Sequence, residues 1–219
     1  RRADDQGVLP WEEVPAYWGV AFGETETQEL YRQQLRELIE RDWNRASVAL
    51  WSIANETDHE DATRNRVLSE MVDSVRGLDD TRLVTAACFV NEADDGDRLV
   101  IEDPLVDDLD VIGINEYYGW YYGEADDMAR FVHEGKPVIV SETGGGAKWG
   151  HHGDPGERWT EEFQADLYRG QIDALRDQDG VVGMTPWILF DFQTPLRMNP
   201  HQRGWNLKGL PLGSSVAVS

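Results

Sequence analysis

The chain has 219 residues, 42 acidic and 20 basic, and a formal net charge of −22; a field of that sign disfavours nucleic acid and anionic membranes as partners. No apolar run approaches the roughly 18 residues of a membrane-spanning helix, and a single cysteine, Cys88, excludes an internal disulfide framework. The chain opens on "RRADDQGVLP", with neither Met nor a secretory signal, so a cytoplasmic setting is expected and the true start is expected to be missing. Lysine is scarce and arginine supplies most of the basic charge. Such a surface reads as heavily hydrated or, more sharply, as suited to a salt-rich cytoplasm, because at about 1 M salt the Debye length falls to ~3 Å and self-repulsion is screened.

In chain order, "GVLPWEEV" reads as a strand ending near Trp11. "TQELYRQQLRELIERDWN" places Leu30, Leu35, Leu38 and Ile39 on one helix face. "SVALWSI" is the next strand. "DATRNRVLSEMVDSVRGLD" repeats Val67, Leu68, Met71, Val72 and Val75 at helical spacing, with Gly77 at its C-terminal end. "TRLVTAACF" is a strand holding a buried Cys88, and "LDVIGIN" is another. "ADDMARFVHEG" follows as a helix closed by Gly135. "KPVIVSE" is a strand, "RWTEEFQADLYRGQIDALRDQ" a long helix and "VVGMTPWILFDF" the last strand. No linker, repeat or low-complexity tract interrupts the series.

Strand and helix alternate, which argues for a parallel sheet. No glycine-rich phosphate loop follows any strand. The chemically able residues instead stand just beyond strand ends, in "ANE", "NEYYGWYYG", "SETGGG" and "FDF". Functional groups at several carboxyl ends mark an α/β fold of the (β/α)8 TIM-barrel type. Six strands are two short of eight, so the barrel is expected to be incomplete.

Two carboxylates, Glu56 in "LWSIANET" and Glu142 in "VIVSETGG", each follow such a strand. In a barrel both face one mouth, among Trp and Tyr residues, and that is the equipment of a glycosidase. One carboxyl stays protonated to donate to the leaving oxygen while the other attacks, and different surroundings separate them. The glycines at 144–146 leave room for turns beside a bound substrate.

"WSIANE", "DVIGINEYYGWYYG", "KPVIVSETGGGA", "MTPWILFDF" and "GWNLKGL" occur in this order. Together they resemble the catalytic barrel of glycoside hydrolase family 2, in its β-glucuronidase-like branch, from about Gly7 to Leu210. The resemblance implies that Glu56 is the acid/base and that Asn55 bonds the sugar 2-hydroxyl. It implies that Glu142 is the nucleophile of a retaining double displacement, with carboxyl groups ~5–5.5 Å apart. Tyr117 and Tyr121 match active-site tyrosines, and Tyr117 is placed to hold the nucleophile ionised. Trp187 matches a tryptophan whose flat face suits a sugar's C–H surface. Asn206 and Lys208 match the pair that grips the C6 carboxylate, an anion that needs a local cation. Trp120 and Tyr118 read as core.

Lesser candidates are Glu12 and Glu13, Asp191, Arg197 and Arg203. His151 and His152 read as a loop near the mouth, since adjacent histidines lack further ligands at metal spacing. No metal or cofactor is implied. The partner is a carbohydrate, either a β-glucuronide or a related β-glycoside. The alternatives are a β-galactosidase, β-galacturonidase or β-mannosidase of the same family, or an inactive, sugar-binding remnant. Family members usually carry two β-sandwich domains before the barrel, and these, the first two strands and the closing helix find no match here. Residues 1–210 are thus expected to form a partial catalytic domain and 211–219 a short tail.

Overall fold

Apolar runs bounded by turn residues become strands, and the stretches of 3.6-residue period between them become helices. The computed structural model describes residues 2–94, 96–131 and 135–210; the tail expected at 211–219 lies outside them, as do 132–134 of the helix expected after residue 124. The chain divides into two compact units, Arg1–Asn115 with Val132–Ile139, and Glu116–Phe131 with Val140–Ser219.

In the first unit β1 (Trp11–Glu13), β2 (Leu50–Asn55), β3 (Leu83–Cys88) and β4 (Val111–Asn115) pair in chain order, all parallel. β5 (Val138–Thr143) begins here, where the Ile112 N–H donates to the Pro137 carbonyl at 3.0 Å. Trp51, Ile53, Val84 and Ile112 are fully buried, as expected of parallel strands covered on both faces. The first strand starts at Trp11 rather than ending there, because Pro10 has no N–H to give a ladder.

Helices α1 (Thr25–Asp42) and α2 (Ala62–Leu78) fill the connections. On α2 all five expected residues, Val67, Leu68, Met71, Val72 and Val75, are buried. Asp61 caps the helix, its side chain accepting from the Thr63 N–H at 2.8 Å. On α1 Leu35 and Ile39 are buried but Leu30 is exposed. Tyr31 takes its place, because it stands one turn before Leu35 on the same face. Its hydroxyl donates to the Ile53 carbonyl.

Asp79 closes α2 as a buried carboxylate. It accepts from Trp51 Nε1 (2.9 Å), the Thr81 N–H (2.9 Å) and hydroxyl (2.6 Å), and Arg82 Nη1 (2.6 Å). Burial pushes its pKa up, but these four bonds outweigh burial and hold the carboxyl well below the usual range. A carboxyl depressed in the folded state stabilises above its unfolded pKa of about 3.9 and loses that contribution as pH falls. Asp79→Asn is therefore expected to lower the melting temperature at pH 7, with the gap from the parent narrowing below about pH 4. A gap that stayed constant down to pH 2 would assign Asp79 a packing role alone.

The second unit holds the rest of β5, then α3 (Glu161–Arg176) and β6 (Val181–Pro186). The Trp187 N–H donates to the Thr143 carbonyl at 2.9 Å and the Thr185 hydroxyl to the Ser141 carbonyl at 2.5 Å, so β6 runs parallel to β5. The last strand stops at Pro186, short of the expected Phe192: Ile188 instead bonds Lys208 and Leu210 through the backbone, both at 3.0 Å. Phe192–Gln193 forms its own antiparallel ladder with Trp205–Asn206. The helix expected after residue 124 is a short 3-10 turn, Ala125–Arg130, whose entry is closed by Glu124 and Asp127 bonding each other's backbone.

Tyr117, Trp120 and Leu167 form the core of this unit, with Ala125, Trp159, Phe163 and Trp187 packed on them. The glycines at 144–146 serve that packing. A Cβ on Gly144, at φ +106°, would meet Tyr168, and one on Gly145 would meet Leu167 and Trp120 at 2.6–2.7 Å. Their missing side chains make room for helix α3 and Trp120, not only for a turn.

Candidate active site

The carboxyl end of β2 carries Asn55 and Glu56. Between Ser52 and Asn55 the pairing with β3 slips: Ser52 opposes Thr85 while Asn55 opposes Ala87. One extra residue on β2 is thereby accommodated, and such bulges re-aim side chains beside functional sites. The Glu56 N–H donates to the Ala87 carbonyl at 2.9 Å, which pins the residue after the bulge. Glu56 sits at φ +49°, a left-handed conformation that costs a non-glycine residue about 1–2 kcal/mol. Strain of this kind collects where function dictates a direction.

Glu56 Oε2 accepts from Trp18 Nε1 at 2.7 Å. Asn55 Oδ1 accepts from Asn115 Nδ2 at 2.8 Å, which turns the amide of Asn55 so that its own N–H bonds are left to other acceptors. Sequence reasoning missed Trp18 and Asn115. Asn115 carried a usable signal, a polar residue ending a buried strand in "VIGIN". Trp18 carried a fainter one, an aromatic in the loop after β1. Glu13 Oε2, near the end of β1, accepts from the Ser52 hydroxyl (2.7 Å) and Trp11 Nε1 (3.1 Å), and Glu12 lies near Arg41 Nη2 at 3.5 Å.

The second unit gathers the remaining candidates. Glu142 is the penultimate residue of β5, where its carbonyl accepts from the Glu116 N–H at 3.0 Å and its Oε2 from the Tyr117 hydroxyl at 2.6 Å. Tyr117 and Tyr121, one helical turn apart in number, stack edge-to-face with centroids 5.3 Å apart. Lys208 is only 3% exposed. Its Nζ donates to the Tyr121 hydroxyl at 2.5 Å and lies 4.2 and 4.3 Å from the rings of Tyr117 and Tyr121. Two aromatic faces about a desolvated ammonium hold it by cation–π attraction.

Asn206 is buried and turns its Oδ1 to the Lys208 N–H at 3.1 Å, fixing the loop from which the lysine projects. Arg197 Nη2 donates to the same Tyr121 hydroxyl at 2.9 Å, a second cation in the cluster. Trp187 is half-buried, edge-to-face with Phe192, and packs on the Tyr117 and Trp120 core. Trp120 and Tyr118 are buried, only 4% and 7% exposed, in keeping with their reading as core from the sequence. Burial raises the pKa of Asp191, whose Oδ1 accepts from the Gly209 N–H at 2.8 Å. Arg203 bonds its own loop, at the Pro200 carbonyl. His152 Nδ1 lies 2.9 Å from Glu162 Oε1, and His151 Nε2 lies 3.8 Å from Glu157. The His152 contact ties the loop to helix α3, and the His151 contact stays within the loop.

Comparison with known proteins gives these geometries a family. Residues 7–204 match the model of the glycosyl hydrolases family 2 TIM barrel domain, and the chain belongs to that family. Among the described residues, the six strands of its parallel sheet, separated by helices or 3-10 turns, follow the element order of an incomplete (β/α)8 barrel. Among its relatives are a β-glucuronidase of Mus musculus, 32% identical, and one of Paenibacillus borealis, 29% identical; each alignment takes in 92% of this chain. A solved β-glucuronidase from an uncultured Clostridium sp. is 30% identical and superposes with a TM-score of 0.78 over 95% of this chain. The chain spans 33–38% of the length of these relatives.

Proposed function

We propose that this chain is the catalytic barrel portion of a retaining β-glycosidase that hydrolyses β-glucuronides. Glu56 donates its proton to the leaving oxygen, and Glu142 attacks the anomeric carbon to form a covalent glycosyl-enzyme. Water then completes the double displacement, with Glu56 as base. Asn55 bonds the sugar hydroxyl beside the reacting carbon, and Trp187 offers a flat face to the ring. Family membership supports the chemistry, and relatives bearing the name β-glucuronidase support the sugar.

The observation that carries the uronate reading is Lys208. A lysine 97% removed from water is costly unless its charge is used. Here it is caged by Tyr117, which also bonds Glu142, so a cation stands within one tyrosine of the nucleophile. That relay suits a substrate whose carboxylate must be seated while its anomeric carbon meets Glu142. Arg197, which donates to the same Tyr121 hydroxyl, adds positive potential to the same seat.

Lys208→Met keeps the stem and removes the charge. It is expected to lower kcat/KM on an aryl β-glucuronide about 10- to 150-fold, the worth of a charge-assisted hydrogen bond. Hydrolysis of the matching aryl β-galactoside should not fall with it. The substrate comparison on the parent protein tests the reading at its root. Galactoside cleavage without glucuronide cleavage would overturn the uronate assignment and leave the glycosidase assignment standing.

A further inference from the structure

Resting on the reading of Glu56 as the acid/base, we infer that Trp18 is its positioning residue, assigning the transferable proton to one carboxyl oxygen. The indole N–H is a donor only and has no lone pair to offer a proton-bearing oxygen. Trp18 Nε1 points at Glu56 Oε2 from 2.7 Å, so Oε2 is held as the acceptor and the proton resides on Oε1. During the first step the O–H bond at Oε1 breaks and the proton passes to the glycosidic oxygen. The bond from that oxygen to the anomeric carbon breaks at the same time, and its electron pair stays with the leaving group.

The backbone supports this assignment independently. Trp18 stands at φ +53° and Glu56 at φ +49°, so both ends of the hydrogen bond are held left-handed. The two segments are also clamped together. The Trp18 N–H donates to the Asn55 carbonyl at 3.1 Å, the Asn55 N–H to the Ala16 carbonyl at 2.9 Å, and Tyr17 bridges Asn55 in parallel. Strain at two joined positions persists only where the surroundings over-determine it. Trp18 is more than half exposed, so burial of its ring does not explain the conformation.

The test is leaving-group dependence in the complete polypeptide. A substrate with an activated leaving group, 2,4-dinitrophenyl β-glucuronide, needs little protonation; phenyl β-glucuronide needs it fully. Trp18→Phe is expected to lower kcat/KM on the phenyl substrate about tenfold or more, and to change the dinitrophenyl substrate by less than about twofold. Equal loss on both substrates, or no loss on either, overturns the inference. β-(3-Benzothienyl)alanine at position 18, which keeps the two-ring shape but replaces N–H by sulfur, repeats the test with packing preserved. Should Trp18→Phe fail to fold, this analogue decides by the same criterion. Glu56→Ala is the control on the underlying reading. If it too spares neither substrate selectively, and azide fails to restore its turnover, Glu56 is not the acid/base. If Glu56→Ala is selective and neither Trp18 variant is, only the role of Trp18 falls.

Discussion

Glu142→Gln in the complete polypeptide is expected to cut turnover of an aryl β-glucuronide by at least about 10⁴-fold, the scale of loss when a covalent nucleophile is removed. The substitution is nearly isosteric. Its amide oxygen accepts from the Tyr117 hydroxyl much as Oε2 does at 2.6 Å, so the cluster around Lys208 keeps its shape. What is lost is the carboxylate oxygen that, in the proposed mechanism, bonds to the anomeric carbon. An unchanged melting temperature with turnover abolished separates chemistry from folding. Turnover retained within tenfold would remove Glu142 as the nucleophile. Burst kinetics with a dinitrophenyl substrate, present in the parent and absent in the variant, would show the covalent intermediate directly.

The second large effect is on stability, at Arg64. Its side chain is 1% exposed, and that of Asp103 is fully buried. The pair is bidentate, Nη1 to Oδ1 at 2.6 Å and Nη2 to Oδ2 at 2.7 Å, while Nε donates to the Thr57 hydroxyl at 2.9 Å. Removing one partner strands the other charge in the interior. Arg64→Met is therefore expected to destabilise by about 3–5 kcal/mol. For a chain of this size that lowers the melting midpoint by roughly 6–20 °C. Replacing both partners, Arg64→Met with Asp103→Leu, should cost less than either single change, because no orphan charge remains. A single-variant cost below about 1 kcal/mol would show that the pair is solvated in solution. Thr57 directly follows Glu56, so the ion pair also anchors the backbone that presents the proposed acid/base. Loss of activity below the melting transition is the expected companion effect.

Much of the architecture was readable because burial writes itself into spacing. The five apolar residues of α2 recur at helical period and all are buried. The runs around Trp51, Val84 and Ile112 are continuous because both faces of those strands are covered. Where the reading slipped, a local pattern lost to a contact distant in sequence. Tyr31 displaced Leu30 from the α1 face because its hydroxyl reaches the carbonyl of Ile53, 22 positions away. The last strand ended at Pro186 because Ile188 found backbone partners at Lys208 and Leu210.

The candidate site divides in the same way. Glu56, Glu142, Asn206 and Lys208 stand in recognisable order, since each follows a strand or lies in a short motif. Their residue types carry charge and hydrogen-bonding capacity wherever the chain puts them. Trp18 and Asn115 carry weaker marks, because an indole or an amide becomes a positioning group only through the neighbour it meets. The distance from Trp18 to Glu56 spans 38 positions, and that from Asn115 to Asn55 spans 60. The same holds for the cage around Lys208, 87 positions from the tyrosine it bonds. Composition and periodicity settled the alternation of strands with helices and the carboxylates at strand ends, because those depend on nearest neighbours along the chain. Packing settled which oxygen of Glu56 is bonded, which rings enclose Lys208 and why the glycines after Glu142 are needed, because those depend on groups that only the folded backbone brings within 3–5 Å.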